Sequence, residues 1–166
     1  MIMPRRKKEP YQALGFVVLS IVILLAISGC TRKDEGAELV NASGISMSAA
    51  QKVLQKGADI NTPSSTRFGW TPLISGIYNH KEDVVDFLIK QGANPNIPDN
   101  NGETPLVWAI KVWNSNTNLV AKLLKSGADP KVQSRFREDA FDVARTQSNA
   151  LELLRILESQ QKLTNR

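Results

Sequence analysis

The segment Leu54-Gln55-Lys56-Gly57-Ala58-Asp59-Ile60-Asn61 recurs as Ile89-Lys90-Gln91-Gly92-Ala93-Asn94-Pro95-Asn96, and again as Leu124-Lys125-Ser126-Gly127-Ala128-Asp129-Pro130-Lys131. The Gly-Ala pairs start at 57, 92 and 127, one copy every 35 residues. A fixed period of this size is the mark of a repeat architecture, in which each unit buries its apolar face only against its neighbours. Gly57, Gly92 and Gly127 each follow an apolar-periodic run, at the point where a helix ends in a left-handed residue that glycine adopts without steric cost.

A second motif runs in step with the first. Gly69-Trp70-Thr71-Pro72-Leu73 matches Gly102-Glu103-Thr104-Pro105-Leu106, and Glu138-Asp139-Ala140-Phe141 stands as a degraded third copy. Thr71 and Thr104 are suited to cap helix N-termini, and Pro72 and Pro105 to the first turn, where a missing N–H costs nothing. Val84, Val85, Leu88 and Ile89 form one apolar helix face, as do Leu119, Val120, Leu123 and Leu124. Together these residues resemble the ankyrin repeat, with its pattern G-x-T-P-L-x-x-A, an apolar second helix and a closing G-A-D-x-N. The resemblance covers about Met47 to Leu157.

It implies an all-α ankyrin-repeat solenoid: helix-turn-helix units joined by β-hairpin loops, with two full repeats between partial capping repeats. At the N-terminal end, Ala49, Ala50, Val53 and Leu54 read as a second helix without a convincing first one. At the C-terminal end, Phe141, Ala144, Leu153, Ile156 and Leu157 face the stack, and Arg145, Glu152 and Arg155 face water. Four departures from the family pattern stand out. Two extra residues fall in the hairpin around Pro63 to Phe68, and two more between helices at Trp113 to Asn118. Ile74 and Val107 replace the family's T-P-L-H histidine, and the lone His80 takes a turn position where the family has glycine.

Upstream of the repeats, residues 1–29 divide into a basic start (Arg5, Arg6, Lys7, Lys8), an apolar run from Ala13 to Ile27, and Ser28-Gly29. This is the layout of a secretory signal, and the run is shorter than the ~20 residues a membrane-spanning helix needs. A retained transmembrane helix is the alternative. Ile27-Ser28-Gly29-Cys30 resembles the lipobox of bacterial lipoproteins, which implies cleavage after Gly29 and lipidation of Cys30. Cys30 is the sole cysteine, so it has no internal disulfide partner; a cleaved signal with a free thiol is the other reading. Thr31 follows where an aspartate would favour the inner membrane, so the expected location is the outer membrane, facing the periplasm.

The expected organisation is therefore a lipoprotein signal peptide (1–29), lipidated Cys30 with a flexible tether (30–46), an ankyrin domain (47–160) and a short tail (161–166). The formal charge is +5, and removal of Arg5, Arg6, Lys7, Lys8 and Glu9 with the signal lowers it to +2. No basic stripe remains to argue for nucleic acid.

Chemistry has little material. Ser75 and His80 lie at i, i+5, and neither has an orienting third group. With one histidine and one cysteine a metal site lacks ligands, no phosphate loop is present, and the expectation is a non-enzyme without cofactor.

By register, the variable positions of the concave face and hairpin tips are Phe68, Trp70, Ser75, Tyr78, Asn79, Asn101, Glu103, Trp108, Lys111, Val112, Trp113, Arg135, Phe136 and Arg137. Trp, Tyr and Arg supply most interface hot spots. The alternative for Trp108 and Trp113 is packing within the stack. The expected partner is a protein, bound by a monomer whose only membrane contact is its lipid. An immunity protein against a periplasm-acting toxin, such as a phospholipase effector, is the sharper form of this expectation. An envelope scaffold or protection factor is the alternative.

Overall fold

The computed structural model describes residues 36–113 and 117–164. Eight helices follow one another among these residues: α1 over 36–43, α2 Met47–Gln55, α3 Pro72–Tyr78, α4 Glu82–Lys90, α5 Pro105–Val112, α6 Thr117–Lys125, α7 Ala140–Arg145 and α8 Ala150–Thr164. They stack as consecutive pairs: α3 packs on α4 and α5, α5 on α6 and α7, and α8 closes over α6 and α7.

Local chemistry sets the starts of α3, α5 and α7. Thr71 and Thr104 accept from the backbone N–H of Ile74 and Val107 at 3.3 and 3.4 Å, with Pro72 and Pro105 in the first turn. In the third copy Asp139 takes over, in a reciprocal capping box with Asp142. The helix ends follow the glycines: Gly57, Gly92 and Gly127 have φ of 97°, 87° and 94°. One apolar cluster runs through all four pairs, from Leu39 and Val53 through Leu73, Leu88, Leu106 and Leu123 to Leu157. Full burial of each such side chain contributes roughly 1.5–3 kcal/mol before entropy.

The first pair differs from expectation. Residues 31–46 read as a tether, yet from residue 36 the chain is helical, and Leu39, Val40, Ala42 and Ser43 are buried. The reason is contact, not pattern: Ser75 Oγ donates to the Val40 carbonyl at 2.7 Å, and Gly36 packs against Thr62. The N-terminal repeat therefore has both its helices. Residues 31–35 and Cys30 lie outside the described residues. The far end matches its reading, with Ala144, Leu153 and Leu157 buried and Arg145, Glu152 and Arg155 exposed.

Between pairs the chain projects as hairpin arms, each closed by one backbone bond: Ser64 N–H to the Trp70 carbonyl, Asp99 to Glu103, and Ser134 to Glu138. Such arms are too short for a ladder, and no strand is present among the described residues. The first arm closes over a longer interval than the other two, which is how it holds its two extra residues. Of the second insertion, residues 114–116 lie outside the described residues.

Asparagines tie successive arms at their base. Asn61 Oδ1 accepts from Asn94 N–H and Asn96 Oδ1 from Asp129 N–H, both at 2.8 Å, while Asn96 Nδ2 donates to the Gly127 carbonyl at 2.9 Å. At the tips, Asn100 N–H donates to the Phe68 carbonyl and Arg135 N–H to that of Asn101. The three arms thus form one continuous edge.

Candidate functional site

That edge and the inner helices α3 and α5 share a face, and four of the expected residues meet there. Trp70, at the base of the first arm, stacks on Phe68 with ring centroids 5.2 Å apart and lies 4.5 Å from Tyr78. Trp108 from α5 meets Trp70 edge to face at 5.5 Å and Tyr78 at 5.7 Å. Edge-to-face and offset pairs are worth ~0.5–1.5 kcal/mol each beyond area, so the cluster is a rigid platform. Phe68 and Tyr78 remain 42% and 45% exposed on its outer side. Arg67 places its guanidinium over the Phe68 ring, 4.6 Å from the centroid.

One hydrogen bond holds the platform from behind. Trp108 Nε1 donates to Asp99 Oδ2 at 3.1 Å, and the other oxygen of Asp99 accepts from the backbone of Asn101 and Glu103, which is why a carboxylate can be buried there. Trp70 Nε1 is buried without a partner in the protein. Lys111 on α5 pairs with Glu103. Beside Trp70 lies a cleft of about 440 Å³, lined by Val40, Asn41, Ile45, Phe68, Ser75 and Asn79 among others. It joins the α1–α2 turn to the first arm, and Val40, Asn41, Gly44 and Ile45 on one side of it come from α1 and the turn that follows, which the sequence does not reveal.

The remaining expected residues divide. Asn79, Asn101, Lys111, Arg135, Phe136 and Arg137 are exposed, Phe136 to 65%. Ser75 and Glu103 are not surface groups: Ser75 is buried against Val40, and the Glu103 side chain is 7% exposed beneath Lys111. Trp113 is half-buried, with Nε1 donating to the Ile77 carbonyl at 2.6 Å and its ring stacked on His80 at 5.1 Å. This is the packing alternative, and half-buried Val112 precedes it on the same helix end. The side chains of Ser75 and His80 are thus each engaged elsewhere, which leaves no nucleophile–base pair between them. Ile45, 66% exposed at the cleft mouth, lies in the turn after α1 and is not among the expected residues; its only sequence signal is an isolated isoleucine between small residues.

On the outer side, Lys122 of α6 reaches back to α4 and bonds Glu82 and both oxygens of Asp86, each at 2.9 Å. No described helix is long and apolar enough to cross a membrane.

Comparison with known proteins agrees with the geometry. Residues 39–134 match the family model for ankyrin repeats in three copies. The chain is 41% identical over 59 residues to the 2-5A-dependent ribonuclease of Mus musculus, which covers 36% of this chain and 8% of that protein. It is 30% identical over 88 residues to the human mitochondrial disaggregase, covering 52% and 12%. To the putative ankyrin repeat protein YahD of Escherichia coli strain K12 it is 29% identical over 82 residues, covering 46% and 41%. The chain therefore spans less than half the length of each of these relatives. Ankyrin repeats are in general non-catalytic modules of protein–protein interaction, and with its match over more than half the sequence this chain belongs to the ankyrin-repeat family.

Proposed function

We propose that the chain is a non-catalytic binding module, held in the bacterial envelope by lipid on Cys30, that captures a protein with its concave face. The observation that carries the binding half is the Phe68–Trp70–Tyr78–Trp108 cluster: an aromatic platform, fixed from behind and open in front. Rigid aromatics bind at low entropic cost, since little freedom remains to be lost. The anchoring half rests on the basic start, short apolar run and Ile27-Ser28-Gly29-Cys30 of the sequence. Two or three acyl chains, at ~0.8 kcal/mol per buried CH₂, hold a protein on a membrane where one does not.

The outer membrane, facing the periplasm, is the proposed location. A small tethered binder there suits an immunity protein that neutralises a toxin acting on the envelope, such as a phospholipase. Affinity capture from the native envelope, with the full chain as bait, tests the binding half. A toxin among the captured proteins, held by the parent chain and released by Tyr78→Ala, supports the immunity reading. A resident periplasmic protein held in the same way replaces it with a scaffold or protection role. Fractionation of Cys30→Ala into the soluble envelope extract supports the anchor, and unchanged membrane attachment overturns it.

A further inference from the structure

The two outer arms carry the same dipeptide at the same place. Arg67-Phe68 and Arg135-Phe136 occupy equivalent tip positions, with Asn100-Asn101 between them, and the tip-to-tip hydrogen bonds make the three arms one edge. At the first tip the Arg67 guanidinium lies over the Phe68 ring, and at the last Arg135 directly precedes Phe136; both rings face water, with Phe68 42% and Phe136 65% exposed. Arg137 adds a third exposed cation at the last tip. The carboxylates near them do not balance this. Asp99, in the middle arm, is buried and spends its oxygens on Trp108 Nε1 and two backbone N–H groups, and Glu138 is the exposed acid beside Arg137. The cleft under Phe68, about 440 Å³ and lined by Val40, Ile45 and Trp70, has room for an apolar side chain.

Resting on the concave-face reading above, we infer that the arm edge receives an acidic segment of the partner protein. Its carboxylates pair with Arg67 and Arg135, and an apolar side chain beside the first carboxylate enters the cleft under Phe68. Arginine suits this task because its planar fork binds a carboxylate at two points while its face stays on the aromatic ring. One arm separates the two Arg-Phe pairs, so a partner segment that meets both carries its acidic residues in two clusters and not one.

The test is selection from a displayed library of random peptides against the full chain in detergent micelles, followed by binding of the selected peptides to Arg67→Gln/Arg135→Gln. Net-acidic peptides with an apolar residue are expected, bound at least about tenfold more weakly by the double variant and more weakly as salt rises. Neutral or basic peptides, or binding unchanged in the variant, overturn the inference. If such peptides still lose affinity with Tyr78→Ala, concave-face binding survives without the acidic preference. If no selected peptide responds to either set of substitutions, both fail. Unaltered circular dichroism of the variants separates these outcomes from misfolding.

Discussion

The indole N–H of Trp113 donates to the Ile77 carbonyl at 2.6 Å, a bond between the last turn of α3 and the end of α5 in the next repeat. It adds a side-chain donor to a carbonyl that already accepts the His80 N–H in the turn after α3. Trp113→Phe keeps an aromatic ring against His80 and removes the donor. A loss of about 1 kcal/mol is expected, read as a lower urea midpoint at unchanged slope. Peptide binding to the concave face is expected to stay as it was; a parallel loss of binding would return Trp113 to the interface.

Arg137 stands where the earlier copies have Gly69 and Gly102, and it keeps their left-handed backbone, with φ 60° against 63° and 79°. A side chain there costs roughly 1–2 kcal/mol, while glycine gives back about 0.4–1 kcal/mol through a freer unfolded chain. Arg137→Gly is therefore expected to stabilise by about 0.5 kcal/mol, seen in thermal or urea unfolding. His80, φ 54°, is the internal comparison. Its strain is similar, but His80→Gly also loses the stack on Trp113, so its net gain is expected to be smaller than that of Arg137→Gly.

Leu39 is fully buried in a helix that the sequence presents as a polar tether. Leu39→Ala is expected to cost about 2–5 kcal/mol and to open the cleft beside Trp70, with a change in tryptophan fluorescence. A tether would lose nothing. The reason the helix is illegible lies in its residues. Gly36, Ala42, Ser43 and Gly44 give no apolar stripe, and two turns alone do not hold in water. What orders them is α3 behind, through Ser75 and Gly76, which lie 35 or so residues on and bear no local mark of that role. The reverse holds for Gly57, Thr71 and Pro72, whose turn and cap chemistry is local and reads directly. Ser75 and Glu103 fail as surface positions for the same reason as Leu39: register gives a place in the repeat, and burial depends on which neighbour covers it, α1 for Ser75 and Lys111 for Glu103.

Lys122 links α6 to α4 through Asp86 and Glu82. Its ammonium is held protonated to a pH above the ordinary 10.5, chiefly by the hydrogen bond to Asp86, then by Glu82, against a smaller opposing effect of burial. A raised folded-state pKa means that the contribution is complete below the ordinary lysine range and fades as pH climbs through the raised value. Without the lysine, Glu82 and Asp86 face each other at i, i+4 on α4, a repulsive pair. Lys122→Met is therefore expected to destabilise at neutral pH, by no more than about 1 kcal/mol because all three side chains are more than a third exposed and screened. The gap to the parent chain is expected to narrow in high salt and again as pH rises beyond the lysine range, in urea titrations run in parallel. A gap indifferent to both would assign the contribution to the packing of the lysine's methylenes between the two helices.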